Sequence, residues 1–354
     1  MPADRSSSRP ARLPRGGGPR RRPVLRRVLI GLGGALVVVV AGGAWAVHAY
    51  GPRFGLYLVP PSPQRYAEVA LDVLESGYDA HGPAWEAERA RVVAAAEGAS
   101  DYADLHGVLA EATSLAGGKH SSFLTPEETT ASEQGATSAF VEPTVTTQDG
   151  VTTVTVPEVG SVSEELQQRY ADVLARGIAE AAPGTCGWVV DLRGNTGGTM
   201  YPMLSGVSPL LPVGPAMSFR SRTGDGVEVT VQDDGAGVGG RTTVVIEAVP
   251  KVSGQPVAVL QDGRTASSGE AVLTAFRGLD GVESFGADSA GYTSANSVRR
   301  LYDGAQIVLT QSTYVDRDGV DLAEEPVAAD HPTTPEDAPD AARAWLVEQG
   351  CGTA

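Results

Sequence analysis

Hydrophobic and polar positions change rhythm three times along the chain. From Val28 to Val47, "VLIGLGGALVVVVAGGAWAV", 20 residues carry no charge, about the length a helix needs to cross a bilayer. After the extended link "YLVPPSPQRY" the rhythm becomes helical. Ser62 and Pro63 form a helix start, Tyr66, Val69, Ala70, Val73 and Leu74 follow at helical spacing, and Gly77 stops the run. A second helix is predicted from Pro83 to Glu97 and a third from Tyr102 to Leu115, closed by Gly117 and Gly118. Residues 62–116 therefore form a small helical bundle.

From about residue 138 the pattern switches to short apolar runs alternating with one amphipathic helix. "GVTTVTVPEV" (150–159) alternates as a strand does, Ser163 to Ala182 is amphipathic, and "GWVVDL" (187–192) is a buried strand. Val227 to Val231 and Thr242 to Ile246 have the alternation of exposed antiparallel strands. "QPVAVLQD" (255–262) is a second buried strand leading into a helix at Ala271–Phe276, with further strands at Val282–Phe285 and Gln306–Thr310 and a last helix at Pro339–Gln349. Buried strands alternating with helices predict an α/β sheet. In such sheets the chemistry gathers at the carboxyl ends of strands, here from Asp191 and from Asp262 onward.

Charge fixes the orientation. Residues 1–27 carry nine arginines and one acid, Asp4, in a Pro/Gly/Ser-rich tail that does not fold by itself. The arginines precede the apolar run, so they stay cytoplasmic and the rest lies outside. A cleaved signal peptide has a shorter apolar core. "AGGAWA" supplies small residues for cleavage, but the length favours an uncleaved anchor. The expected divisions are a basic tail (1–27), a transmembrane helix (28–48), a helical bundle (57–118) and an α/β core (119–354). The whole chain has a net charge of −16, and removing the +8 of its first 50 residues leaves −24 outside. Such an acidic ectodomain excludes nucleic acid as a partner and attracts cationic ligands, although plain solubility accounts for it as well. The only two cysteines, Cys186 and Cys351, exclude a disulfide framework and a zinc cluster. Outside the cell they can make one bridge tying the C-terminal tail to the core.

The stretch "QDGRTASSGEAVLTAF" (261–276) holds Thr265, Ser267 and Ser268 at a strand-to-helix turn. Ser267 and Glu270 fit S-x-x-E, a capping box. The same turn would present a serine hydroxyl beside helix N-terminal N–H groups able to receive an oxyanion. A nucleophilic serine needs a base. Of the five histidines, His48 sits at the membrane edge, His81 in a helix connection, His106 on a packed helical face and His331 in a loop. His120, in "AGGKHSSF", follows a helix ended by two glycines and is flanked by small residues. Lys119 and Lys251 are the only lysines, which leaves a Ser–Lys dyad little to work with. In "VVDLRGNTGGTM" (189–200), Gly197 and Gly198 free backbone N–H groups for an anion or oxyanion, and Asp191 and Arg193 can pair to hold the turn. No Gly-Lys-Ser/Thr follows, so this is not a P-loop.

The order of these blocks carries more than any one of them. "GGKHSS", "VVDLRGNTGG", "TASSGE" and "FGADSAGYTSAN" together resemble the S41 serine peptidases, the C-terminal processing family. "YLVPPSPQRY", "SPLLP" and "DSAGYTSAN" are similar to its membrane-anchored, lantibiotic-resistance branch. The resemblance runs from about Tyr57 to Asp330 and implies an S41-type α/β protease core without a metal or cofactor. The family's nucleophile, three positions before the motif glutamate, falls on Ser267, and the branch's histidine falls on His120. The backbone N–H of Ser268, with that of Gly197 or Gly198, would form the oxyanion hole. The lysine base of the tail-specific enzymes is replaced by Tyr292. Their PDZ module has no room in the roughly 18 residues after His120. Glu324 or Glu325 is the candidate for orienting the histidine. The implied function is a membrane-anchored peptidase trimming lanthionine antimicrobial peptides, cationic substrates drawn to a cleft walled by acids. A processing peptidase of host proteins and a non-catalytic peptide-sequestering protein are the alternatives. A histidine base would lose activity as it protonates near ~6.5.

Overall fold

The computed structural model describes residues 39, 40, 42, 43, 45, 47, 51, 55–252 and 254–351. The chain divides into two units, 1–59 and 60–354. In the first, the described residues from 39 to 47 are helical. Most of the expected membrane helix at 28–48 lies outside the described residues. None of the described helices is long and apolar enough to cross a membrane.

The second unit opens with three helices, α1 (Pro63–Leu74), α2 (Gly82–Gly98) and α3 (Ala103–Gly117). Then come β1 (Ser122–Leu124), α4 (Pro126–Ser138) and the hairpin β2 (Thr144–Gln148) and β3 (Val151–Thr155). Next are α5 (Glu164–Ala181), β4 (Gly187–Asp191) and α6 (Met200–Val207). A meander of β5 (Gly214–Ser221), β6 (Gly226–Gln232), β7 (Gly235–Val238) and β8 (Arg241–Val245) leads to β9 (Val257–Gln261) and α7 (Ser268–Phe276). The chain ends with β10 (Val282–Gly286), β11 (Ser294–Arg300), β12 (Gln306–Val315), β13 (His331–Pro332) and α8 (Ala338–Glu348). Ser62, Thr125 and Ser163 cap α1, α4 and α5 from extended backbone, each accepting the N–H three residues on.

One sheet runs β13-β10-β9-β4-β3-β2 and is parallel except for the β2–β3 hairpin. Its two faces explain the unbroken apolar runs of β4 and β9. Trp188, Val190, Val257 and Val259 enter a core shared with α5, α6 and α7, whereas Val189, Ala258 and Leu260 pack under Ala338, Ala342 and Leu346 of α8. A parallel sheet covered on both sides has no polar face to alternate with. The second sheet is antiparallel, in order β1-β12-β5-β6-β7-β8, with β11 also paired to β12. Met217, Val229, Val231 and Tyr314 bring it into the same core.

The three helices pack on one another around a core that they share with the antiparallel sheet. Tyr66, Leu74, Leu105 and Leu109 pack with Leu301, Ala305, Ile307 and Leu309 from the β11–β12 hairpin. Helices of this length draw their stability from packing an apolar face, and the antiparallel sheet forms the floor of that packing. His106 packs as its helical face suggests, and His331 differs from the loop expected of it. His106 is part of this seam, its Nε2 2.7 Å from an oxygen of Asp303. His331 lies in β13 and stacks on the Phe285 ring at 4.5 Å.

Cys186, just before β4, and Cys351, just after α8, are bonded, with Cα atoms 5.0 Å apart. The bridge holds α8 against the back of the parallel sheet and closes a loop of 165 residues. Reduction, or the double substitution Cys186→Ser and Cys351→Ser, should lower stability by about 2–4 kcal/mol. The measurement is the urea midpoint at constant slope. An unmoved midpoint would mean that packing alone holds α8.

Candidate active site

Two turns at the carboxyl ends of adjacent strands build the site. After β4, the Asp191 carboxylate accepts from Arg193 Nε at 2.9 Å and Nη2 at 2.7 Å, and Arg193 Nη1 reaches the Pro335 carbonyl at 2.6 Å. After β9, Asp262 Oδ1 accepts the N–H groups of Gly194 and Thr265, both at 3.0 Å. Thr265 Oγ1 donates to the Leu192 carbonyl at 3.0 Å, and Ala266 N–H donates to the Asn195 carbonyl at 2.9 Å. The two turns are therefore stitched into one body. Thr265 is fully buried in this stitching, which removes it from the candidate nucleophiles.

Ser267 has φ 52° and ψ −117°, a conformation glycine tolerates and serine does not favour. The three hydroxyl caps elsewhere in the chain have φ between −66° and −61°, as capping requires. Ser267 thus lacks the backbone of an ordinary cap, although it stands at the N-cap of α7 and its N–H forms the Glu270 arm of the expected capping box. Strain of this kind costs on the order of 1–3 kcal/mol and gathers at functional positions. The strained turn is held by Glu270, which is fully buried. Its oxygens accept from Ser267 N–H (2.8 Å), Tyr292 N–H (2.8 Å), Gly291 N–H (2.7 Å) and the Ser289 hydroxyl (2.5 Å). Burial still outweighs these bonds and pushes the Glu270 carboxyl above its ordinary range.

The glycine turn approaches from the β4 side. A Cβ on Gly197 would lie 2.8 Å from Ser267 Cβ, and one on Gly198 would strike the Val159 carbonyl at 1.9 Å. Both glycines also have positive φ, 111° and 98°. Gly197 N–H donates to Asn195 Oδ1 at 2.9 Å, so it is engaged. Among the described residues no protein acceptor meets the N–H of Gly198 or of Ser268. Ser268 Oγ donates to the Gly198 carbonyl at 2.6 Å, which ties those two N–H groups into one rim. Of the two glycines, the geometry leaves Gly198 as the one with a free donor.

His120 sits at the end of α3, where a single 3₁₀ turn leads into β1. Its Nδ1 is 2.8 Å from Ser294 Oγ, and Ser294 Oγ donates to Glu324 Oε1 at 2.5 Å. A hydroxyl has one proton, and the carboxylate takes it. His120 Nδ1 must then carry the hydrogen, and Nε2 keeps its lone pair. Burial, and secondarily the Lys119 charge, hold the imidazole down to about 4, well below the value expected of a free side chain. The Tyr292 ring meets the His120 ring edge-on at 5.1 Å. Lys119 Nζ donates to the Glu324 carbonyl, and Lys251 Nζ to the carbonyls of Ser208 and Gln232. Neither lysine lines the cleft described next.

His120, Ser267, Ser268 and Gly198 line one cleft of about 520 Å³, with Ser294. The sequence placed an orienting acid at Glu324 or Glu325. Glu324 reaches the histidine only through Ser294, and Glu325 is exposed, with no side-chain hydrogen bond or ion pair among the described residues. Ser294 was not singled out in the sequence, because a serine in "YTSAN" has no pattern to mark it. Among the described residues the expected wall of acids is also absent from the lining. Glu158 touches it only through a hydrogen bond from Thr196. Acids avoid this surface because their charge would need pairing once a ligand displaced water.

The model of peptidase family S41 matches residues 150–333. The nisin-resistance protein of Lactococcus lactis subsp. lactis is 33% identical over 325 residues, covering 92% of this chain and 98% of that protein. Among solved structures, a lipoprotein from Streptococcus agalactiae superposes with a TM-score of 0.71 at 27% identity, covering 83% of this chain and 99% of the other. The photosystem II D1 C-terminal processing protease superposes with a TM-score of 0.51 at 15% identity, over 78% and 94% of the two chains, which concerns the fold alone.

Proposed function

Because this chain belongs to peptidase family S41, we propose that it is a serine peptidase working through a Ser267–His120 dyad. Ser267 attacks the scissile carbonyl, His120 Nε2 takes its proton and later delivers it to the leaving amine, and Ser294 and Glu324 hold the imidazole. The N–H groups of Gly198 and Ser268 receive the oxyanion. The observation that carries this reading is the strained backbone of Ser267 facing the same cleft as a half-buried, neutral histidine.

The substrate we propose is a lantibiotic of the nisin type, cut near its C-terminus outside the cell by an enzyme anchored through residues 28–48. Similarity to the nisin-resistance protein across 92% of the chain supports it, as does the basic tail before the apolar run. The full chain in detergent micelles, incubated with nisin and followed by mass spectrometry, should produce one shortened product. Nisin left whole while host membrane proteins are trimmed would point to general processing. Nisin bound but never cut would point to sequestration.

A further inference from the structure

Two tyrosines in the cleft have hydroxyls that none of the described residues engages. Tyr201, in the first turn of α6, and Tyr314, on β12, both line the cleft beside Ser267. Tyr314 is only 2% exposed, and its ring is fixed against Phe219 on the neighbouring strand at 5.7 Å. Among the described residues neither phenol oxygen has a hydrogen-bond partner. Glu270 is the nearby carboxylate, but each of its oxygens already accepts from two donors. Burial raises both phenols above their ordinary range, so they are neutral O–H groups at any physiological pH.

The surroundings define what such hydroxyls can meet. Met200, Phe219, Ala295 and Val298 supply apolar surface around them, and among the described residues no Lys, Arg, Asp or Glu lines the cleft. An ionised side chain entering here would lose its hydration without gaining a counter-charge. A purely aliphatic one would displace water and leave the phenols unpaired. A neutral amide or hydroxyl satisfies both conditions.

Resting on the peptidase reading above, we propose that Tyr201 and Tyr314 are specificity-determining residues whose hydroxyls hydrogen-bond an uncharged polar side chain next to the scissile bond. Sites built to pair a substrate's polar group reject analogues lacking it more strongly than apolar pockets reject a missing methylene. At one substrate position, Asn should therefore exceed Leu by at least about 10-fold, and Asp and Lys should be poorest.

The test uses linear decapeptides in which each position in turn is Asn, Leu, Asp or Lys, with the full chain in detergent. The Asn-to-Leu ratio in kcat/KM should be large at one position for the wild type. It should fall to about 1 in Tyr201→Phe/Tyr314→Phe, with each single variant measured in case the double does not fold. The same ratio is read as Kd in the Ser267→Ala chain, where no turnover is needed. A Kd ratio near 1 at every position, or one that survives both phenylalanines, would overturn the proposal. Selective binding with no cleavage by the wild type would leave the pocket standing and remove the peptidase reading. Cleavage with no preference would do the reverse.

Discussion

Ser267→Ala should lower kcat/KM by at least about 10³-fold while leaving folding and peptide binding in place. The substitution removes one hydroxyl. The backbone N–H of Ser267 still donates to Glu270, and alanine meets the same φ of 52° at about the same cost as serine. Stability should therefore not move by more than about 0.5 kcal/mol. Ser267→Gly adds a second arm. Glycine relieves the strain, offset in part by the freedom it gains when unfolded, so this variant should be inactive yet no less stable than the wild type. Ser268→Ala loses the 2.6 Å bond to the Gly198 carbonyl and should show a smaller loss, as expected for a residue that holds the rim. Near-normal turnover by Ser267→Ala together with an inactive Ser268→Ala would move the nucleophile one residue on.

Part of this site was legible in the sequence for a physical reason. The apolar runs at 187–192 and 255–262 mark strands buried on both faces, and buried parallel strands direct their following turns to one edge. That alone brings "DLRGNTGG" and "TASSGE" together. The start of α7 was less legible. Its pattern becomes apolar only at Ala271, yet the helix begins at Ser268, because Gly269 and the buried Glu270 answer to the site and not to a hydrophobic stripe. Helix α6 was missed because "MYPMLSGV" contains Pro202 and Gly206. The proline is harmless in a first turn, where no N–H is needed. Helix α4 has almost no apolar positions, and only Thr129 is buried. Its one signal was the Thr125/Glu128 capping box, which the structure forms from both sides. The pairing of His120 with Ser294 spans 174 residues and depends on how β11 docks on β12, which no local pattern encodes.

His120→Ala should lower kcat/KM by about 10²–10⁴-fold, the usual worth of a positioned general base, and its pH behaviour separates a base from a packing residue. A histidine held at about 4 by burial and by Lys119 is neutral throughout the physiological range. The acidic limb of kcat/KM should therefore bend near pH 4, and not near the ~6.5 of a free imidazole. Lys119→Met should move the bend upward, since one of the two lowering influences is gone. The same shift acts on stability with a definite sign. Between pH 6.5 and 4 the unfolded chain binds a proton at this imidazole that the folded chain refuses. Stability therefore falls as pH drops through that window and levels off below about 4. Undiscounted for the residual solvent around the ring, the difference corresponds to roughly 3 kcal/mol. His120→Ala has no imidazole to protonate, so it should be inactive but lose less stability than the wild type between pH 6.5 and 4. Urea midpoints measured across that interval report it. A bend near 6.5, or equal acid sensitivity in the two proteins, would mean that His120 is hydrated and free, which is incompatible with its place behind Tyr292 and Ser294.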